Sequence, residues 1–306
     1  EKSGGSDKFP VGRVIYFNGE EKTYLFNNFT GLLRVKNQDN WYPKYVFYSL
    51  YANYKRGGTR AFENKTTGLH NLKTDDYVSR YEVAEIDTSK QILICEKLDK
   101  SYEIVKLRRQ ELQLLDELIK ARFVEMFGDP ILNPNGHLKE KIEKHINLLS
   151  GYPFKSEQYV EKGINICGGL IIMPQKIKWD ECVHWSSVEG FEDYLLNEND
   201  IVMALDRPWI SEGFKIAKVD AEHLPALLIQ RTARIRSIDI NQDYLYYCFI
   251  TGGFDKHSNV TGSLVPHISA KDIRSFEIMI PPVELQNQFA DFVNQVNKSK
   301  FTKQID

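Results

Sequence analysis

The feature that most constrains this chain is an internal repeat, because a duplicated unit has to fold in a similar way twice. One copy contains GGTRAFENKTTGLHNLKTDDYVSRYEVAEI, which starts at Gly57. The other contains GGFDKHSNVTGSLVPHISAKDIRSFEIMIPP, which starts at Gly252. Both have paired glycines, a polar stretch, a Thr-Gly pair and then a short run of mixed apolar and polar residues.

Similar segments also flank the two copies. An aromatic, helix-like segment precedes each one, at residues 45–48 and 244–247. A helix start follows each one, at residues 87–91 and 283–286. Chance does not readily produce four matches in the same order at a nearly constant offset. The sequence therefore predicts a duplicated structural unit.

A long helix is predicted from about Ser89 to Phe127, since this segment has no Gly or Pro and is rich in Leu, Glu, Lys, Gln and Arg. Gly128 and Pro130 are expected to end it. Apolar residues at intervals of seven indicate a coiled-coil seam formed by Leu98, Val105, Leu112, Ile119 and Met126. The alternative is an ordinary buried helix, although such helices average only about 11–12 residues.

A mixed α/β domain is predicted between residues 138 and 280. Its opening segment, residues 139–149, is interpreted as helical. Strand-like runs are predicted at residues 163–167, 200–205, 213–219 and 226–235. A second helix is expected to begin near Glu284 and to end with the chain, with an apolar face formed by Phe289, Phe292, Val293 and Val296.

The first copy of this domain looks incomplete. Only its latter part, residues 7–86, precedes the long helix. Residues 12–16 are interpreted as the counterpart of the predicted strand at 199–203. On that alignment the first copy lacks roughly sixty residues at its start.

Charge is unevenly distributed along the chain. The net charge is −2 and the pI is about 6.5, which argues against a protein that simply coats DNA. Basic residues dominate from Lys55 to Lys73, whereas acidic residues dominate from Asp75 to Asp99. A basic surface beside an acidic one still permits local binding of phosphate groups.

The spacing of the cysteines and the lack of a long apolar run predict a cytoplasmic protein that does not span a membrane. The four cysteines are widely scattered and form no C-x-x-C pair, which predicts free thiols in a reducing compartment. The sequence has no apolar run of about 18 residues. The first residues also lack the apolar core of a signal peptide.

Motifs of several enzyme classes are absent from the sequence. It has no G-x-x-x-x-G-K-[ST] phosphate loop, no G-x-G-x-x-G fingerprint and no H-E-x-x-H or similar metal-ligand cluster. Pro281 and Pro282 lie between Ile280 and Val283, which is not the Asn/Asp-Pro-Pro-aromatic motif of an amino-methyltransferase. We therefore expect a non-catalytic chain that binds no metal and no cofactor of its own.

Nucleic-acid binding is the chemistry that the polar segments support best. Basic, amide and hydroxyl side chains suit contacts to phosphates and to base edges. The candidates in the first copy are Lys55, Arg56, Arg60, Lys65, Thr66, Thr67 and Asn71. The candidates in the second copy are Tyr152, Lys155, Ser156, Arg207, Trp209, Gln230, Arg231, Ser258, Thr261 and His267. A solvated loop or a structural hydrogen bond is the alternative for each of them.

Several segments, taken together, resemble the specificity subunit of type I restriction–modification systems. SGYPFKSEQYVEKGI, DIVMALDRPWISEGFKIAKV and LPALLIQRTARIR resemble the opening and middle of a target-recognition domain. HISAKDIRSFEIMIPPVELQNQF resembles the exit of that domain into a helix, and LIKARFVEMFGDP resembles the end of the preceding helix. In the first copy, FNNFTGLLRV and TTGLHNL match the same family.

This resemblance implies a mixed α/β (α+β) fold in which antiparallel coiled-coil helices hold two target-recognition domains apart. Each domain would read half of a bipartite DNA site. The helices would dock adenine-methyltransferase modification subunits that use S-adenosylmethionine, and ATP-dependent restriction subunits would join that core. The expected boundaries are 1–86 for an incomplete first recognition domain, 87–128 for the spacer helix, 129–282 for the second recognition domain and 283–306 for the start of the second helix.

Two alternatives stay open at this point. The chain could be the DNA-recognition part of a single-chain restriction–methylation enzyme, whose catalytic part lies elsewhere. It could also be an interaction scaffold whose recognition domains have lost the ability to bind DNA.

Overall fold

The structure is a computed structural model that describes residues 1–20, 22–66, 69–251, 253–258 and 266–302, apart from the side chains of residues 66, 301 and 302. The chain forms two compact units, Glu1–Gln110 and Glu111–Asp306. The boundary between the units falls inside one continuous helix, α3 (Thr88–Phe127). At about 1.5 Å per residue this helix is roughly 60 Å long. The sequence prediction for its bounds is confirmed.

The first unit combines a small antiparallel sheet with two short helices and the first part of α3. The sheet has the strand order β1-β3-β2. The elements before α3 are β1 (Ser3–Gly5), α1 (Pro43–Lys55), β2 (Glu63–Thr66), β3 (Leu69–Leu72) and α2 (Thr74–Arg80). Residues 12–16 form no strand, so the correspondence with the strand at 199–203 was wrong. Ile15, in this segment, and Leu25, which follows it, are both highly exposed.

The second unit contains most of the sheet structure. Its strands are β4 (Lys139–Lys141), β5 (Ile146–Ser150), β6 (Ile164–Cys167), β7 (Ile172–Met173), β8 (Lys176–Ile177), β9 (Val183–Trp185), β10 (Ile201–Ala204), β11 (Trp209–Ile210), β12 (Gly213–Phe214), β13 (Ile216–Lys218), β14 (Ala226–Leu228), β15 (Thr232–Ser237) and β16 (Glu277–Met279). Its helices after α3 are α4 (Gln242–Thr251), α5 (Phe254–His257), α6 (Ala270–Ser275) and α7 (Val283–Thr302).

Two larger sheets, three two-stranded sheets and a helical layer build the second unit. The central sheet has the strand order β13-β10-β15-β5, and all of its pairs are antiparallel. A second sheet, β14-β6-β9, has one parallel pair and one antiparallel pair. Strand β10 is buried throughout because alternate side chains face opposite layers. Ile201 and Met203 join the core beside the helices, whereas Val202 joins the core beside the second sheet.

The predicted helix at residues 139–149 was wrong. This segment forms strands β4 and β5, which pair with β16 and β15 respectively. Its lysines and glutamates favour a helix locally, but pairing with distant strands outweighs a local preference. The strand predictions at 163–167 and 200–205 agree with β6 and β10. The runs predicted at 213–219 and 226–235 are each divided into two strands of different sheets, β12 and β13 in the first and β14 and β15 in the second.

An aromatic cluster joins the end of α3 to the rest of the second unit. Phe123 and Phe127 are fully buried and contact Tyr244 of α4 and Phe289 of α7. Farther along α7, Lys300 Nζ lies 2.5 Å from Asp116 Oδ1. The two helices therefore run antiparallel, as predicted, and the predicted apolar face of α7 is confirmed.

The predicted seam along α3 is only partly correct. Ile119 is buried, and Leu112 and Met126 are partly buried. Leu98 and Val105, in contrast, are 39% and 50% exposed. Within the first unit, α3 turns a different row towards α1. That row comprises Gln91, Cys95 and Asp99. The Asp99 carboxylate lies 2.5 Å from Lys44 Nζ and 2.6 Å from Tyr48 Oη, both of α1.

A buried glutamine begins α3 and α7 in the same way, which supports the duplication. Gln91 Oε1 accepts the Tyr42 N–H at 2.8 Å, and its Nε2 donates to the Ile86 carbonyl at 2.8 Å. Gln286 Oε1 accepts the Asn241 N–H at 2.8 Å, and its Nε2 donates to the carbonyl of Pro281, again five residues earlier. Each glutamine thus connects a long helix to the start of an aromatic helix.

Replacing Phe127 with Ala should remove about 3–5 kcal/mol from the unfolding free energy of the second unit, since the ring is fully buried among aromatic side chains. Urea denaturation followed by tryptophan fluorescence reports on this unit, which contains Trp179, Trp185 and Trp209. Val124→Ala, at a 44% exposed position of the same helix, is the control and should change the midpoint little.

Candidate nucleic-acid interface

Three segments of the second unit meet at one edge of the central sheet. Residues 206–207 follow β10, and residues 230–231 precede β15. Because β10 and β15 pair antiparallel, with Ala204 opposite Thr232, both segments lie at the same edge. Strand β5 brings in a third segment, since Ser150 lies opposite Ala233. The Leu205 N–H donates to the Arg231 carbonyl at 2.9 Å and joins the first two segments.

The turn after β5 lies directly against residue 230. The Gln230 N–H donates to the Tyr152 carbonyl at 2.8 Å. Gly151 allows this approach, because a Cβ atom there would lie only 2.0 Å from the Ile229 carbonyl oxygen. Lys155 and Ser156 follow on exposed backbone.

A fourth segment reaches the same edge from the region before α6. The Arg207 N–H donates to the Pro266 carbonyl at 2.8 Å, and the Ile268 N–H donates to the Leu205 carbonyl at 2.9 Å. His267 lies between these two contacts. The structure therefore brings together four of the predicted residues, which we call the candidate surface: Arg207, Gln230, Arg231 and His267.

Asp206 is a central member of this edge that the sequence analysis missed. Its Oδ1 lies 2.7 Å from His267 Nδ1, and its Oδ2 lies 3.2 Å from Arg231 Nη1. The His267 and Arg231 side chains are 44% and 74% exposed, so both stay accessible to a ligand. No local pattern could have signalled this ion pair, because Arg231 lies far from Asp206 in the sequence.

Both arginines of the candidate surface have left-handed backbone conformations. Arg207 has a φ of 46° and Arg231 a φ of 63°. This region is uncommon for residues other than glycine and costs free energy, which the surrounding hydrogen bonds have to offset. Such strain is often found at binding sites, where it presents a side chain at the end of a sheet.

Lys215 places a further positive charge behind this edge. It is 7% exposed, and its ammonium group donates a hydrogen bond to the Gly169 carbonyl. Burial lowers the pKa of Lys215, and the positive charge of Arg207 adds to that effect. The lysine interrupts the apolar strand run at 213–219, a signal that the sequence analysis overlooked.

Two predicted aromatic residues are mainly structural. Tyr152 packs against Phe154, Phe191 and Tyr194 in an aromatic cluster between the loops of the second sheet. Trp209 stacks on Phe214, with ring centroids 4.8 Å apart. Each ring supports the backbone beside the candidate surface.

Four other predicted residues are not among those that the structure places on this surface. Ser258 is 7% exposed and lies at the end of α5, where its hydroxyl donates to the Asp255 carbonyl at 3.4 Å. Burial therefore removes Ser258 from the candidate contacts. Thr67 and Thr261 lie outside the described residues, as does the side chain of Thr66.

Among the described residues, the candidates of the first copy form no comparable surface. Arg60 donates to the Asp7 carbonyl at 2.8 Å, and Lys65 forms an ion pair with the Asp7 carboxylate. Lys55 lies over the Tyr51 ring at the end of α1, where Arg56 is also exposed. Asn71 is part of β3, opposite Ser3 and Asn64. Two of these cations are therefore already engaged within the first unit.

Comparison with known proteins decides the family. Residues 150–306, about half of the chain, match the family described as type I restriction modification DNA specificity domain. The chain belongs to this family. The match begins at the turn after β5 and includes all four residues of the candidate surface.

Curated relatives of this specificity-domain family agree. The chain is 32% identical over 168 residues to the type I restriction enzyme EcoAI specificity subunit of Escherichia coli, covering 51% of this chain and 28% of that protein. It is 27% identical over 164 residues to the MjaVIII specificity subunit of Methanocaldococcus jannaschii, covering 51% and 38%. The matches thus span about a third of the relatives' own length.

Solved structures support the fold. The S subunit of a type I restriction–modification system from M. genitalium aligns with a TM-score of 0.51 at 13% identity, covering 87% of this chain and 69% of that one. A chain from a structure of the type I R-M system aligns with a TM-score of 0.52 at 15% identity, covering 87% and 66%. Both agree with the predicted mixed α/β fold and long helix. None of the helices in the described ranges is long and apolar enough to cross a membrane.

Gly151→Ala should destabilise the second unit by about 1–3 kcal/mol, because the added methyl group collides with the Ile229 backbone and not with a flexible side chain. Gly169→Ala is the matched control, since its nearest neighbour would lie at an ordinary 3.6 Å. Thermal unfolding of both variants by circular dichroism measures the difference. Equal melting temperatures would contradict the close approach at Gly151.

Proposed function

We propose that this chain is a sequence-specific DNA-binding specificity subunit of a type I restriction–modification complex. The observation that carries the proposal is the convergence of Arg207, Gln230, Arg231 and His267 at one edge of a buried sheet. The family match at residues 150–306 supports the same function. The chain itself would be non-catalytic and would act in the cytoplasm, where the DNA is.

The side chains of the candidate surface suit both kinds of DNA contact. An arginine can form two parallel hydrogen bonds to a guanine, and a glutamine can do so to an adenine. Exposed cations such as Lys155 suit phosphates. Because the net charge is −2, attraction to DNA has to come from a local positive patch. Buried Lys215 strengthens that patch from behind.

The helices would carry the remaining functions of the subunit. We propose that α3 spaces two recognition units along DNA, since about 60 Å corresponds to roughly eighteen base pairs at 3.4 Å each. The helices would also dock adenine-methyltransferase modification subunits, which would bring S-adenosylmethionine. ATP-dependent restriction subunits would join the same complex. The relatives are specificity subunits of type I restriction enzymes, which fits a chain that assembles with further subunits.

The scaffold alternative applies better to the first unit than to the second. Arg60 donates to the Asp7 carbonyl, and Lys65 forms an ion pair with the Asp7 carboxylate. These contacts favour a first unit that contributes little to base reading. The second unit alone would then read one half-site.

A selection experiment tests the main proposal. The purified chain should enrich a short, defined motif from a library of duplexes with a randomised central segment. At physiological salt the enriched duplex should bind about 10³-fold or more tightly than scrambled duplexes. Fluorescence anisotropy measures both affinities. Equal binding of enriched and scrambled duplexes would rule out a specificity subunit and favour the scaffold.

Removing a cation from the candidate surface should change the salt dependence of binding. If Arg207 contacts a phosphate, Arg207→Ala should reduce the slope of log K against log [salt] by about 1. Arg60→Ala is the matched control, because that guanidinium group already binds backbone carbonyls of the first unit. We expect its slope to equal that of the wild type. A reduced slope for Arg60→Ala and an unchanged slope for Arg207→Ala would instead indicate that DNA binds to the first unit.

A further inference from the structure

Asp206 places a negative charge in the middle of the candidate surface. Its carboxylate contacts Arg231 on one oxygen and His267 on the other, and its side chain is 27% exposed. A carboxylate at this position opposes the binding of phosphates, because it lowers the local positive potential. A surface that only bound the DNA backbone would be better without it. Asp206 therefore needs a different physical explanation.

The ion pair with Asp206 orients the Arg231 side chain. The backbone of Arg231 is already fixed, since its carbonyl accepts the Leu205 N–H and its φ is 63°. The side chain extends from that point with 74% of its surface exposed. A guanidinium group reads guanine through two parallel hydrogen bonds. The contact of Arg231 Nη1 with Asp206 Oδ2 at 3.2 Å holds one end of the guanidinium group, and this restriction reduces the conformational entropy lost on binding.

The same carboxylate also determines how His267 can hydrogen-bond. An ionised carboxylate only accepts, so His267 Nδ1 has to carry the proton in their 2.7 Å contact. Nε2 is then the ring nitrogen that is left for a ligand. Nε2 can hydrogen-bond to a base edge, either as an acceptor from the amino groups of adenine and cytosine or as a donor to the acceptors of guanine.

We propose that Asp206 is a specificity-determining positioning residue that directs Arg231 and His267 towards base edges. Guanine is the base that Arg231 reads. The inference rests on the proposed function, because it requires that the candidate surface binds DNA. It adds that these residues have different roles. Arg207, together with the nearby Lys155, binds DNA phosphates, whereas Arg231 and His267 contact base edges.

Asp206→Asn tests this division because it removes the charge and keeps the shape. The full chain first selects its motif from the randomised duplex library. Anisotropy then measures binding to that duplex, to duplexes with each base pair changed in turn, and to a scrambled duplex. We expect discrimination at one G·C pair to fall roughly tenfold. Binding to the scrambled duplex should stay equal or increase, since a negative charge is lost.

Glu222→Gln provides the matched control for charge. Glu222 is an exposed carboxylate of the same unit. Its replacement adds the same net charge to the chain, and we expect discrimination at every base pair to be retained. A drop in discrimination equal to that of Asp206→Asn would show that net charge is responsible, which would overturn the proposal.

Arg231→Lys gives a second, independent test, in case Asp206→Asn fails to fold. Lysine keeps the positive charge but lacks the planar pair of donors. We expect it to lose discrimination at the same G·C pair, and the double variant should lose little more, because the two residues act as a unit. Unchanged discrimination in Arg231→Lys, or an even loss over all base pairs in Asp206→Asn, would overturn the proposal. Failure of the wild-type chain to select any motif would instead overturn the proposed function.

Discussion

The aromatic cluster at the end of α3 is the contact on which the arrangement of the second unit depends. Phe123 and Phe127 belong to the long helix, Tyr244 to α4 and Phe289 to α7, and all four rings are fully buried together. Rings of this size gain stability both from burial and from their mutual orientation. The cluster therefore fixes the end of the spacer helix to the helical layer, which packs in turn on the central sheet. The edge of that sheet carries the candidate surface.

Gln91 and Gln286 show that both copies kept the same hydrogen bonds between the start of a long helix and the start of an aromatic helix. Gln91 and Gln286 are both buried and both bridge backbone groups of two segments that are distant in sequence. A buried amide left without partners is costly, so each glutamine strongly favours one position of the helix start. The two copies have diverged in their loops, but the start of each long helix is held in the same way.

The sequence predicted those features that depend on local or periodic patterns. The bounds of α3, the apolar face of α7 and the aromatic helices α1 and α4 followed from composition and spacing. Strands β4 and β5 were missed because they pair with partners more than eighty residues away, which no local pattern reveals. The prediction that Leu98 and Val105 form a buried seam was wrong for a similar reason. In the first unit, contacts with α1 select a different face of the helix.

The sequence could predict the individual residues of the candidate site but not that they lie close together in the fold. Arg207, Gln230, Arg231 and His267 were recognisable by type, since each can bind a base or a phosphate. Their convergence depends on the register of β10 with β15, and the roles of Asp206 and Lys215 depend on distances across the fold. Ser258 looked equivalent in the sequence, yet burial at the end of α5 excludes it.

The left-handed backbone at Arg207 and Arg231 limits which amino acids can replace them during evolution. Asparagine, aspartate, histidine and glycine enter this conformation most easily, whereas β-branched side chains are strongly disfavoured. Substitutions at these two positions would therefore draw on a small set of side chains. At position 231, where we propose that a base is read, valine, isoleucine or threonine could contact a thymine methyl group only after the backbone of the loop had changed. The backbone conformation at Arg231 thus restricts the range of bases that this position could recognise.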